Sequence, residues 1–158
     1  MRNSQLVEAL KLNTDILKTF ISSIPEDAMM NRRKDFWTIY EHLVHLVETQ
    51  ALLHHRIELF INEESPVMTP YNPEGAPESD EKKTAGELLE EFSNWRNKQV
   101  ELIETCDDST WDKMGEHPEY DSYSFETLVR HILLHDGYHM YRMEELWLLK
   151  DKFIKPLP

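Results

Sequence analysis

Three histidines in this chain have the residue type and spacing of a metal site. His135 and His139 are four residues apart in a predicted helix, so both imidazoles lie on one face of it, one turn apart. His45 lies in another predicted helix. Because imidazole nitrogens are common ligands of Zn²⁺ and related cations, the pattern predicts a metal site with three nitrogen ligands.

The two paired histidines also occupy positions that the hydrophobic pattern assigns to the core. Along the last predicted helix, residues recur at steps of three or four in the stripe Phe125, Leu128, Ile132, His135, His139, Met143 and Leu146. A buried imidazole without a partner costs about 1 to 3 kcal/mol, whereas a structural zinc site returns on the order of 10 kcal/mol. A shared cation would therefore offset the cost of burial.

The residues alone leave two choices for the ligand from the earlier helix. His42 precedes His45 by three residues and lies on nearly the same helix face, so either histidine can complete the site. His131 lies one turn before His135 and can line the same cavity. The histidines that we expect to be partly solvated or on the surface are His54, His55 and His117.

Other catalytic patterns match the chain poorly. Residues 135–139 resemble the zinc-protease motif His-Glu-x-x-His, but Asp136 stands where the glutamate base belongs and is shorter by a methylene. A di-iron bundle needs paired Glu-x-x-His motifs, which Glu41 and Glu48 do not provide. Cys106 ends an apolar stripe, where an inert buried thiol is expected. No Gly-x-Ser-x-Gly motif or glycine-rich phosphate loop is present.

Four long helices are predicted to position these residues. They run from about Ser4 to Ser23, from Thr38 to about Asn62, from Thr84 to about Cys106, and from Ser124 to about Lys150. Residues 63–82 and 107–123 are interpreted as long loops. No segment alternates with a period of two for long enough to predict a sheet. The predicted fold class is therefore all-α, a four-helix bundle with long connecting loops, whose core commonly holds a metal site.

Composition and length set the broad class of protein. With 17 basic and 30 acidic residues the formal net charge is −13, and no basic stripe offsets it, so nucleic acid is not an expected partner. The 158 residues suit a single domain over residues 1–158. The one cysteine permits no internal disulfide, and no apolar run approaches the roughly 20 residues that span a bilayer. We expect a cytoplasmic protein that has no membrane partner.

Two stretches of the chain resemble the DinB-like superfamily, which includes bacillithiol transferases and the mycothiol-dependent isomerase domain. One is Trp37 followed by residues 41–46, with a histidine eight residues after the tryptophan, and the other is residues 131–139. The resemblance covers most of the chain and implies a four-helix bundle that holds a divalent metal ion, most often zinc or nickel, in an open site. Many members of the superfamily are dimers.

The resemblance also implies a particular set of ligands. Matched residue by residue, it selects His45 over His42 as the first metal ligand and makes His135 and His139 the other two. The chain departs from the family pattern directly after His139, where residues 140–143 replace the common Arg-Gly-Gln-Ile continuation. Contacts beyond the metal ligands are therefore expected to differ.

The function expected on this basis is a metal-dependent thiol S-transferase that acts on a small electrophile and uses a low-molecular-weight thiol as cofactor. The catalytic residues are not determined by the sequence. Asp136, His131 and Arg142 are the candidates; Arg142 could bind a substrate carboxylate or form an ion pair with Glu144 or Glu145.

Two other functions are compatible with the same residues. The protein could be a metal-dependent hydrolase in which Asp136 or His131 acts as the base. It could instead be a stress-associated metal-binding protein without turnover, in which His42 or Glu48 fills the fourth coordination position.

A homodimer is expected from the end of the last helix. Residues 146–149 are apolar on several faces of the helix, more than one core can use. A second copy of the chain could cover this surface, or the tail with Phe153 and Ile154 could do so.

Overall fold

A computed structural model describes residues 3–71 and 82–156 of the chain, and most of these residues are helical. In chain order the elements are α1 (Ser4–Ser23), α2 (Glu26–Met29), α3 (Ile39–Asn62), α4 (Ala85–Glu104), α5 (Asp108–Asp112), β1 (Met114–His117), β2 (Tyr120–Ser124), α6 (Phe125–Leu148) and a 3₁₀ turn (Asp151–Phe153). The four long helices α1, α3, α4 and α6 confirm the prediction of a four-helix protein. In the described ranges no helix combines the length and the apolar character needed to cross a membrane.

Three of the four long helices, α3, α4 and α6, begin where side-chain caps predict their starts. Thr38 and Glu41 form a capping box at the start of α3, and Thr84 and Glu87 form another at the start of α4. Ser124 accepts a hydrogen bond from a backbone amide in the first turn of α6. These caps satisfy backbone amides that the helix itself leaves unpaired. They therefore fix the residue at which α3 and α6 begin.

The four long helices pack as a ring in the order α1, α4, α3, α6. The α3 helix contacts α4 and α6, and α1 contacts the same two helices. This arrangement is a four-helix bundle, as predicted. It makes α3 and α6 direct neighbours, so histidines on their facing sides can meet.

Two apolar clusters separated by a polar layer fill the bundle. The first cluster includes Leu10, Ile57, Phe60, Phe125 and Ile132, and the second includes Leu17, Leu43, Phe92, Met143 and Leu146. The side chains between them, which we call the polar layer, are Asn13, Gln50, Arg96, Gln99 and Asp136, all buried. Because these residues come from all four long helices, the core is polar at the middle of the bundle.

The prediction that residues 107–123 form an irregular loop is wrong. The segment contains α5 and the antiparallel hairpin β1–β2, with an irregularity in pairing after Gly115. The buried rings of Trp111 and Tyr123 anchor it. A Cβ atom on Gly115 would lie 2.8 Å from the Phe60 ring, so no larger residue fits there without a shift. The strands have 4 and 5 residues, too short and irregular for a period-two pattern to predict them.

The long loop predicted over residues 63–82 is irregular where the structure describes it, and residues 72–81 lie outside the described residues. Val67 pairs with Glu116 of β1 in an isolated bridge, and the Met68 side chain is buried. The first part of this connection is therefore held against the hairpin.

The tail after α6 folds back and covers part of the helix end. Ile154 is buried, whereas Leu148 and Phe153 are 61% and 56% exposed. Apolar surface thus stays exposed at this end of the chain, and the homodimer stays a prediction.

Candidate metal site

The three histidines that the sequence singles out meet at the seam between α3 and α6. His45 belongs to α3, and His135 and His139 belong to α6. The ring centroids of His45 and His135 are 5.2 Å apart, and the His139 centroid lies 4.6 Å from each of them. One ligand atom from each residue lies within 4.8 Å of the other two. The structure therefore brings these side chains together as a group that can hold a metal ion.

The spacing and chemistry of the ring nitrogens fit a shared cation. Nε2 of His45 lies 3.2 Å from Nε2 of His135. Two nitrogens bound tetrahedrally at about 2.0 to 2.1 Å from one Zn²⁺ lie roughly 3.3 Å apart. A small movement of His139 toward this pair would complete a three-nitrogen set. Such a set suits zinc, nickel, iron and copper alike.

All three imidazoles are held in the neutral form that binds a metal ion. Burial lowers the pKa of His45 to about 4 and the pKa of His135 to about 4. Burial lowers the pKa of His139 to about 2, with further contributions from His135, His45 and His42. At neutral pH the rings are therefore unprotonated, and a cation does not have to displace a proton from the ligand nitrogen.

His42 lies beside the three histidines and contacts one of them. Its Nδ1 is 2.8 Å from Nδ1 of His139, and both side chains are buried. One of the two nitrogens donates and the other accepts. Since Nδ1 of His139 is used in this bond, Nε2 is the atom that it has left for a cation. A neutral His139 that offers the Nε2 lone pair donates from Nδ1, so His42 is the acceptor that orients it.

We expect substitution of His42 to weaken metal binding without removing a ligand. In His42→Leu the hydrogen bond to His139 is lost, and metal affinity should fall by about 10- to 100-fold. His42→Asn keeps an acceptor near the position of Nδ1 and should recover most of this loss. Competition with a metal-sensitive chelating dye measures both affinities. Wild-type affinity in His42→Leu would contradict the orienting role, and an equal large loss in both variants would make His42 a ligand.

The metal-free protein should lose stability as the pH falls from about 6.5 toward 4. The folded-state pKa is lowered to about 4 in His45 and His135, to about 3 in His42 and to about 2 in His139. An unfolded chain takes up protons on these side chains below its ordinary pKa of about 6.5, whereas the folded chain does not. Each histidine therefore removes up to about 1.4 kcal/mol of stability per pH unit in this window.

Urea unfolding of the metal-free protein at pH 7, 6 and 5 measures this loss. His55→Gln is a suitable control because the His55 side chain is 60% exposed, and it should leave the pH dependence unchanged. A saturating metal ion should oppose the loss, because it binds only the unprotonated rings. Stability that stays constant or rises between pH 7 and pH 5 would contradict the buried, neutral state of the histidines.

A pocket of about 480 Å³ adjoins the histidines. It is lined by Lys34, Asp35, Phe36, Trp37, His42, His139, Arg142 and Pro156. The Trp37 ring lies 5.2 Å from the rings of both His42 and His45, so it connects the pocket to the histidine group. The pocket therefore places aromatic walls and two cationic side chains next to the candidate metal ligands.

Asp136, a candidate base from the sequence, is held in the polar layer. It is fully buried, and its Oδ2 accepts hydrogen bonds from Nη2 of Arg96 at 2.7 Å and from Nδ2 of Asn13 at 2.9 Å. His135 is only partly buried. The prediction that His135 lies on the core-facing stripe of α6 is therefore wrong, because Asp136 rather than His135 faces the centre of the bundle. The reason is the Arg96 guanidinium, which pairs with the carboxylate in the core.

The polar layer continues from Asp136 to α3 through α4. Arg96 donates from Nε to the side-chain oxygen of Gln99, and Gln99 donates to the backbone and side-chain oxygens of Gln50. Burial raises the pKa of Asp136, while the charge and hydrogen bond of Arg96 oppose that rise. This network was not predicted from the sequence. The signal for it is that Arg96 and Gln99 follow Leu88 and Phe92 at helical spacing, on the buried face of α4.

The other two candidate catalytic residues have partners of their own. His131 lies outside the group of three, and its Nδ1 is 3.3 Å from the Tyr123 hydroxyl. Arg142 donates to the Glu145 carboxylate at 3.0 Å and to the Lys155 carbonyl at 2.9 Å. This is one of the ion pairs that the sequence suggested, although Arg142 is buried and lines the pocket.

The side chains of His54, His55, His117 and Cys106 are not part of the group that can hold a metal ion. His54 and His55 approach the Glu58 carboxylate at 3.7 and 3.8 Å, and His117 lies in β1. Burial raises the pKa of the partly buried Cys106 thiol to about 11, which agrees with an inert cysteine.

Comparisons with known proteins add the relationship of the chain to a family. A model of the DinB superfamily matches residues 9–143. No curated protein sequence matches the chain significantly. Among solved structures, the fold is similar to YfiT from Bacillus subtilis with a TM-score of 0.77 and 18% sequence identity, over 90% of this chain and 83% of that chain. YfiT is described as a probable metal-dependent hydrolase with an unusual four-helix bundle topology. The matched residues include the histidines on both α3 and α6 and span most of the bundle, and on this basis the chain belongs to the DinB superfamily.

Proposed function

We propose that this protein is a divalent-metal-dependent enzyme that transfers a small acidic thiol to an electrophile. The observation that supports this most is the convergence of the neutral imidazoles of His45, His135 and His139 beside an open pocket. Zinc or nickel would suit these ligands. Three ligands leave at least one coordination position for a reactant.

The ligand set favours a thiol as the reactant. Three neutral imidazoles would leave a divalent cation its full positive charge. A cation of this kind lowers the pKa of a bound thiol or water molecule. A thiol, with an ordinary pKa of about 8.5, needs a far smaller shift than water to react at neutral pH. The two bases that the sequence suggested have other partners, since Asp136 pairs with Arg96 and His131 contacts Tyr123. Thiol transfer does not require such a base.

The pocket supplies complementary contacts for a small anion with an apolar reaction partner. Lys34 and Arg142 give it two cationic side chains, and Phe36 and Trp37 give it aromatic walls. The guanidinium of Arg142 lies 4.5 Å from the centroid of the Phe36 ring, so the charge is fixed against that wall. Low-molecular-weight thiols that carry carboxylates would pair with Lys34, because Arg142 is already paired with Glu145, and an apolar electrophile would pack on the rings.

Metal-dependent hydrolysis is the second candidate. The description of YfiT as a probable metal-dependent hydrolase favours it, and the two chains share a fold. In this chain neither of the bases that the sequence suggested contacts the three histidines, since Asp136 pairs with Arg96 and His131 with Tyr123. Hydrolysis would therefore depend on the cation alone to activate water.

An activity assay with and without thiol tests the proposal. Purified chain loaded with Zn²⁺ or Ni²⁺ is mixed with a panel of small electrophiles and esters, either alone or with cysteine, glutathione or another acidic thiol. We expect a product that requires both metal and thiol, and we expect His45→Ala to abolish it. His55→Ala removes an exposed imidazole from the same helix and should leave the rate unchanged.

Two outcomes would reject thiol transfer. A metal-dependent product that forms equally well without thiol would establish hydrolysis instead. No product under any condition, with metal bound stoichiometrically, would leave a metal-binding protein without turnover.

A further inference from the structure

Arg56 differs from the other arginines of the described chain in having no acidic partner. Each of the others forms an ion pair with a carboxylate, in the pairs Arg32–Glu41, Arg33–Asp151, Arg96–Asp136, Arg130–Glu126 and Arg142–Glu145. Arg56 is only 9% exposed. In a chain that carries 30 acidic residues, a buried arginine without a carboxylate requires another explanation.

The guanidinium of Arg56 is incompletely satisfied by the protein. Its Nη2 donates to the Thr69 carbonyl at 2.6 Å. Its Nε is buried and has no hydrogen-bond partner. Burying a cation without a counter-charge costs several kcal/mol even after the surroundings relax, and one neutral carbonyl does not offset that cost.

The titratable groups on which the Arg56 charge acts are two histidines and a tyrosine, and Arg130 acts on one of the same histidines. The positive charge of Arg56 lies near enough to His117, Tyr123 and His131 to lower the pKa of each, although burial is the main influence on all three. The Tyr123 ring centroid is 4.6 Å from that of His117 and 5.4 Å from that of His131. We call these four residues the Arg56 cluster. It combines a cation with imidazole and phenol donors.

The cluster reaches solvent and has little negative charge of its own. His117 and His131 are partly exposed, and the neighbouring Tyr120 ring, 5.0 Å from His131, is 45% exposed. The exposed Glu119 carboxylate acts on His117 and opposes the lowering of its pKa. Glu119 forms no ion pair with Arg56, so among the described residues the guanidinium has no carboxylate that a ligand would have to displace.

We propose that the Arg56 cluster is a binding site for an oxyanion, a carboxylate or phosphate group of a small molecule. The guanidinium suits both groups, because its N–H donors match the geometry of their oxygens. The cluster differs from the metal-site group, since its α6 member, His131, is not among the three histidines whose ligand atoms converge, although it lies one turn before His135. The proposal therefore holds whether or not the protein transfers thiols.

Thermal unfolding of the metal-free full-length chain tests this proposal. Inorganic phosphate and acetate are the two probes, each compared with chloride at equal ionic strength. A ligand that binds only the folded state raises Tm with its concentration, so we expect a saturable rise with at least one probe. Which probe acts more strongly distinguishes a phosphate site from a carboxylate site.

Two arginine variants separate a ligand site from a structural role. In Arg56→Met we expect Tm in chloride to be equal to or higher than that of the wild type, because an unpaired buried charge is removed. The anion-dependent rise should disappear, with apparent affinity reduced at least about 10-fold, the size typical of a lost charged contact. Arg32→Met removes the same charge from a side chain that is 50% exposed and pairs with Glu41, away from the cluster, and should keep the full rise.

A measurement on the unmodified chain keeps the test decisive if Arg56→Met fails to fold. The ¹⁵N-edited NMR signal of Arg56 Nε–H should shift when phosphate or acetate is added, and that of Arg32 should not. No Tm rise with either probe, an equal rise in wild type and Arg56→Met, or an unmoved Arg56 signal would overturn the proposal. A lower Tm of Arg56→Met in chloride would likewise overturn it, since Arg56 would then serve the fold through Thr69.

Discussion

Substitution of His135 by alanine should release the metal ion while the bundle stays folded. If the free energy of about 10 kcal/mol typical of a structural zinc site is shared among three imidazoles, each supplies about 3 kcal/mol. That corresponds to a loss of affinity of roughly 200-fold. Among the described residues, Nδ1 of His135 has no hydrogen-bond partner, and its Nε2 contacts only Nε2 of His45 at 3.2 Å. Removal of His135 from the metal-free protein therefore leaves one ring nitrogen of His45 without its partner, which costs about 1 to 3 kcal/mol, and we expect the bundle to stay folded.

Metal analysis by mass spectrometry, on protein purified without an affinity tag, measures this effect. The wild type should hold close to one divalent ion per chain after dialysis, and His135→Ala should hold far less. His55→Ala is the matched control, because it removes an exposed imidazole that is not part of the group. Stoichiometric metal in His135→Ala would count against the proposed ligands.

Removal of the Asp136 carboxylate should strongly destabilise the fold. The Arg96 guanidinium pairs with it at 2.7 Å, and the two side chains are 1% and 0% exposed. In Asp136→Ala the arginine is left as a buried cation without a counter-charge, which costs about 3 to 5 kcal/mol. Because domains of this size are stable by about 5 to 15 kcal/mol in total, the loss should be evident in urea unfolding of the metal-free chain.

A double variant distinguishes loss of the ion pair from loss of packing. Arg96→Met combined with Asp136→Leu replaces both charges by apolar groups, and most of the stability should return because no buried charge remains. A cost below about 1 kcal/mol for Asp136→Ala, well under that expected for breaking a buried pair, would show that the pair does not stabilise the bundle. A double variant as unstable as Asp136→Ala would assign the effect to packing.

The features that depend on local chemistry could be predicted from the sequence. The starts of α3 and α4 follow from the Thr38 and Thr84 caps, which act within one turn of the chain. The shared face of His135 and His139 follows from the helix period alone. These two facts were sufficient to predict a helical protein with a paired-histidine face.

The features that depend on distant partners could not be predicted in this way. Asp136 is buried because of Arg96 and Asn13, which lie 40 and 123 residues away in sequence. His42 and His45 are three residues apart on one helix face, so spacing alone left the choice open; the family resemblance selected His45, which the position of α6 places in the group with His135 and His139. The β1–β2 hairpin depends on packing of Tyr123 and on pairing across an irregular register, neither of which leaves a periodic pattern.

The central claim is that His45, His135 and His139 bind one metal ion, and a crystal structure of the metal-loaded chain tests it most directly. Data collected at the absorption edge of the bound metal would give an anomalous difference map. We expect a single strong peak at the α3–α6 seam, about 2.0 to 2.1 Å from one nitrogen of each of the three rings. A peak elsewhere in the chain, or three rings that remain apart in protein shown to contain metal, would contradict it.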